Sequence, residues 1–134
     1  YATYFSNLGS VRNIDSIIKL IEKEDPKYLY GTGHITPALA YISKKPLLDN
    51  VIYTYTSVFK KNILDGEKLT QKAVETKTIV VAYGISDNKL NIIDNITQDE
   101  LFDKELLKKY CRHLASFPIY AGDTANRIYL LKCY

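Results

Sequence analysis

Thr78-Ile79-Val80-Val81-Ala82-Tyr83-Gly84 is the clearest buried strand in this chain: β-branched, aliphatic and aromatic residues follow one another without polar alternation and stop at a glycine. A run of that kind suits a strand covered on both faces, as in a parallel sheet. Working outward, Lys27-Tyr28-Leu29-Tyr30 ends at Gly31 in the same manner, and Asn50-Val51-Ile52-Tyr53-Thr54-Tyr55-Thr56 is β-branched and aromatic nearly throughout. Both read as further strands, and Arg127 to Cys133 as a closing one.

Helical patterns fill the intervals. Ile14, Ile17, Ile18 and Ile21 fall at i, i+3, i+4 and i+7, which predicts an amphipathic helix from Asn13, as its N-cap, to Asp25-Pro26. Thr36 followed by Pro37 supplies a capping hydroxyl and a proline for the first helical position of a helix running to Ser43. Ser57 to Leu64 and Glu67 to Lys77 read as helices broken by Asp65-Gly66. Asp87-Asn88 marks a loop before a short strand, Leu90 to Ile93. Thr97-x-x-Glu100 has the form of a capping box opening the longest helix, whose buried face would carry Phe102, Leu106, Tyr110 and Leu114, and which Pro118 would stop.

Alternating helices and strands favour a three-layer α/β/α sandwich with a mainly parallel central sheet, Rossmann-like, formed by residues 1–134 as one domain. A chain of 134 residues with 46% hydrophobic and 25% charged residues supports one core. A net charge of +3, scattered among carboxylates, gives no basic stripe, so no nucleic acid is expected as a partner. The absence of any methionine and the start at Tyr1 lead us to expect a domain excised from a longer protein, with any membrane-spanning segment outside this stretch.

Ligands of open α/β sheets sit at the carboxyl ends of strands, and Gly31-Thr32-Gly33-His34 occupies such a place before a helix. Gly31, Thr32, Gly33, His34 and Thr36 are therefore the candidate ligand-binding residues, with backbone N–H groups and side chains suited to a small anion. Against this stands the plainer reading that the glycines only turn the chain. The third glycine of a dinucleotide fingerprint is missing, Pro37 standing nearby, and no acidic residue closes the Tyr53 to Thr56 run, so no cofactor is expected.

The two histidines, His34 and His113, lack metal-ligand spacing, although Asp49 could approach His34 in space; no metal and no catalytic residue is expected. His113 fits the C-terminal end of the long helix. Cys111, placed in that helix, and Cys133, in the last strand, could pair in an oxidising compartment or remain two buried thiols. Asn95-Ile96-Thr97 matches a glycosylation sequon, meaningful only outside the cytoplasm.

Taken together, Lys27 to Tyr41, Asn50 to Thr56 and Thr78 to Gly84 resemble, in layout, the water-soluble C-terminal region of archaeal multi-spanning membrane glycosyltransferases of the dolichyl-phosphate-mannose–protein mannosyltransferase type. The resemblance covers most of the chain and rests on no diagnostic motif. It implies a non-catalytic accessory domain on the extracytoplasmic side of a membrane, contacting a glycan or protein acceptor or capping an active site. Its partner would be the membrane-embedded rest of its own chain, which carries the sugar-transfer carboxylate. The alternative is a small-anion or nucleotide-binding α/β domain, and a third possibility a purely structural interaction module.

Overall fold

The structure, a computed structural model, describes residues 11–33, 35–51, 56–86, 91–119 and 125–134. The isoleucine stripe forms helix α1, Val11–Glu24, with Ile14, Ile17 and Ile21 buried. Asp25 follows it in a left-handed conformation, φ 46°, that closes the helix. Strand β1 is Leu29–Gly31, and helix α2 spans Ile35–Ser43. A short 3-10 turn, Leu48–Asn50, leads toward α3, Thr56–Lys60. Helix α4, Gly66–Glu75, is capped by the Asp65 carboxylate, which accepts from the Lys68 N–H at 3.2 Å. Then come β2, Ile79–Ile85, a 3-10 turn at Ile92–Asn95, helix α5, Lys104–Tyr110, and strands β3, Cys111–Pro118, and β4, Asn126–Cys133.

The sheet order is β1-β2-β4-β3. Only β1 and β2 are parallel; β2 with β4 and β3 with β4 run antiparallel. This is a small α/β domain with a mixed sheet, and the expected mainly parallel, Rossmann-like sandwich is incorrect. The physical reason lies in residues 111–118. These residues enter the sheet as an edge strand joined to β4 through the short segment 119–125, and so short a link returns the chain antiparallel, since a parallel return needs a crossover of a dozen residues or more. β4 in turn slots between β2 and β3, so the Ile79–Ile85 strand is buried, but by an antiparallel neighbour on one side.

Several elements differ from expectation for related reasons. The 97–114 helix shrinks to α5 because Asp103, whose carboxylate accepts from the Glu105 and Leu106 N–H groups, starts it later than Thr97. Thr97 is instead tied to β2, its N–H donating to the Tyr83 carbonyl at 3.1 Å. Leu114, expected on the helix, and Phe117 pack from β3 against the α1–α2 side of the sheet. The expected strand at 50–56 is not formed where it can be seen: Leu48–Asn50 is a 3-10 turn, Thr56 opens α3, and 52–55 lie outside the described residues. Where a strand was expected at 90–93, Ile92 and Ile93 belong to a 3-10 turn and Leu90 lies outside the described residues.

Helices cover both faces. Leu29, Ile79, Val81, Ile128 and Leu130 meet α1 and α2 on one, while Val80, Ala82, Leu131 and Cys133 meet Ala73, Val74 and Leu107 on the other. Tyr30 anchors the second layer: its buried hydroxyl donates to the Leu101 carbonyl at 2.6 Å and its ring meets Phe102 edge-on at 5.6 Å.

Candidate functional site

The Gly31 turn lies at the carboxyl end of β1. A Cβ on Gly31 would run into the Val81 carbonyl, so close passage of β1 along β2 requires glycine there. Thr32 continues the ladder, its N–H donating to the Val81 carbonyl at 2.9 Å. Gly33 has φ +55°, with Tyr83 packed 3.3 Å from where a Cβ would stand. Both glycines are thus accounted for by backbone geometry.

The Thr32 and Thr36 side chains face inward. Helix α2 begins at Ile35, so Thr36 is not its cap but a member of its first turn, where the hydroxyl donates to the Thr32 carbonyl at 2.9 Å. Pro37 removes one N–H from that turn. Thr32 is fully buried, and its hydroxyl has no hydrogen-bond partner. His34 lies outside the described residues. What remains for an anion is the strand-end position and the helix start, with two expected hydroxyl donors turned away from solvent.

Cys111 and Cys133 are joined by a disulfide. They are direct register partners of β3 and β4, so the bond clamps the edge strand to its neighbour at the open end of the hairpin. Cys111 is the first residue of a strand rather than part of a helix. Beside it the Tyr134 N–H donates to the Tyr110 carbonyl at 3.2 Å, carrying the pairing past the bridge.

His113 is likewise in β3 and not at a helix end. It sits at a bulge, with its ring edge-on to Tyr129 at 5.9 Å. Partial burial lowers its pKa below the ordinary histidine value, and a backbone hydrogen bond at Ala115 opposes this in part. Asn95, the sequon asparagine, is 4% exposed with its side-chain oxygen unpartnered, which leaves no room for a glycan on the folded chain. Asp49 pairs with Lys72 at 2.7 Å. Asp94, next to that asparagine, pairs with Lys108 at 2.6 Å. No cluster of three or more metal-ligating side chains occurs among the described residues, and none of their helices is long and apolar enough to cross a membrane.

Sequence reasoning missed the Asp49–Lys72 neighbourhood. The available signal was Asp49-Asn50 itself, two adjacent residues of the types that best tolerate left-handed backbone. No family model, curated protein or solved structure matches the chain.

Proposed function

We propose that the chain is a non-catalytic accessory domain working outside the cytoplasm, carried by a membrane-bound glycosyltransferase and contacting its acceptor or capping its active site. The observation that supports this most is the Cys111–Cys133 bond. Structural disulfides persist in oxidising compartments and are rare where thiols are kept reduced. This one ties down an edge strand, a use that fits a domain exposed to an extracytoplasmic environment. The link to sugar transfer comes from the resemblance in layout described above.

Antibodies raised against the folded chain test the proposal on the natural gene product. They should bind intact source cells, and the precipitate they recover from detergent extracts should transfer sugar from a polyprenyl-phosphate donor. Binding only after lysis, or a precipitate without transfer activity, would refute it.

A further inference from the structure

Strand direction brings a cation from every strand to one end of the sheet, the end opposite the Gly31 turn. β1, β2 and β3 start there and β4 finishes there, since Leu29 pairs with Ile79, Ile79 with Lys132 and Lys132 with Arg112. Lys27 leads into β1, Lys77 into β2 and Lys109 into β3, while Arg112 and Lys132 stand in the ladder itself. With neighbouring strands about 4.8 Å apart, the row is about 15 Å wide.

Tyrosine rings are interleaved with these charges. The Lys27 ammonium stands over the Tyr28 ring at 5.6 Å, Lys109 over Tyr110 at 5.2 Å, and the Arg112 guanidinium over Tyr134 at 5.4 Å. Tyr110 and Tyr134 are 39% and 60% exposed, so neither ring serves the core. Each exposed pair presents an apolar body beside a positive head.

The charge is not neutralised within the chain. Lys45 joins the row beside β1, where the Leu29 N–H donates to the Pro46 carbonyl. Of the six cations, Lys45 pairs with Asp25 and Arg112 with Glu24 at 3.4 Å. Lys27, Lys77, Lys109 and Lys132 form no ion pair among the described residues. Even with a carboxyl group counted at Tyr134, cations outnumber carboxylates two to one. The groups lie within electrostatic reach of one another: burial lowers the pKa of Lys132, Glu24 and Asp25 oppose this, and Lys77 and Arg112 lower it further.

A partner meeting the whole row must be anionic, extended over about 15 Å, and able to receive tyrosine rings among the charges. A layer of acidic lipid headgroups has these properties, because Lys and Arg stems snorkel there and tyrosine rings settle at the same depth. Single-stranded nucleic acid stacks its bases on open ring faces, and each of these rings already has a cation over one face.

From this we propose that the sheet end carrying Lys27, Lys77, Lys109, Arg112 and Tyr134 docks on an anionic lipid headgroup surface. The Gly31 turn then faces away from the lipid. The inference stands on charge placement and not on sugar transfer, so the two readings fail separately.

The probes are vesicles of phosphatidylglycerol and phosphatidylcholine in equal parts, and of phosphatidylcholine alone, read by cosedimentation. The chain should bind the anionic vesicles alone, and leave them when salt rises from about 0.1 M to about 1 M and the screening length falls to about 3 Å. Lys27→Gln/Lys77→Asn/Lys109→Gln should weaken partitioning about a hundredfold. Asparagine is used at position 77 because it accepts the left-handed backbone there, φ 54°. Lys19→Gln/Lys60→Gln/Lys61→Gln removes the same charge elsewhere on the surface and should weaken partitioning by less than about tenfold. Tyr134→Trp supplies the sole tryptophan on an otherwise unaltered chain, and its emission should shift to the blue on the anionic vesicles. Binding to neutral vesicles, no binding to anionic ones, undiminished binding at high salt, equal losses in the two triple variants, an unshifted emission, or tighter binding to a single-stranded oligonucleotide would each overturn the proposal.

Discussion

At the level of single residues, the Gly31 turn is explained by packing before ligand binding is invoked. Gly31 is fixed by the Val81 carbonyl and Gly33 by its positive φ. Gly31→Ala should therefore destabilise the chain by about 1–3 kcal/mol in chemical denaturation even with no ligand present, the range for overpacking a tight contact. A change near zero would show that β1 can move away from β2 and that the glycine serves something else. His113 gives a pH prediction of definite sign. Its folded pKa lies below the unfolded one, so the unfolded chain takes up the proton first as pH falls. Stability is then fully present above the unfolded value near 6.5 and is lost on acidification through the lower folded pKa. Thermal melts from pH 7.5 to 5 should fall less steeply for His113→Gln than for the wild type, and parallel slopes would remove His113 as a cause.

At the level of elements, legibility followed the strength of local signals. The isoleucine stripe of α1 and the continuous run of β2 were readable because each satisfies one period and no other. Segment 97–118 was not, because Phe102, Leu106, Tyr110 and Leu114 recur at helical spacing although the chain leaves the helix after Tyr110. What overrides the period is non-local: pairing with β4 brings Cys111 onto Cys133 and sets Leu114 and Phe117, both partly buried, against the α1–α2 side of the sheet, and neither partner lies within a helical window. The candidate turn was legible in place, since Gly31 does end a strand. The inward orientation of Thr32 and Thr36 was not, because it depends on the Val81 ladder. The bridge across β3 and β4 closes a separation of 22 residues, and the chain-entropy model puts its contribution at about 3 kcal/mol. The double variant Cys111→Ser/Cys133→Ser should lose that amount in urea unfolding, with amide protection falling first along β3. Loss spread evenly over all four strands would mean that the hairpin is not the element the bond secures.

At the level of the whole molecule, one parallel and two antiparallel pairings under helices on both faces make a domain with two dissimilar ends. One end carries the Gly31 turn, where backbone packing accounts for the glycines; the other carries the left-handed Asp49-Asn50 pair beside a groove lined by Tyr28, Leu47 and Lys72. The covalent clamp at Cys111–Cys133 is the support for the proposed extracytoplasmic role, which stands or falls with it. The most direct test is to alkylate free thiols in living source cells, isolate the protein without reductant, and map its peptides by mass spectrometry. Cys111 and Cys133 should be recovered as a single disulfide-linked peptide pair free of alkyl label. Recovery of both cysteines alkylated would contradict it.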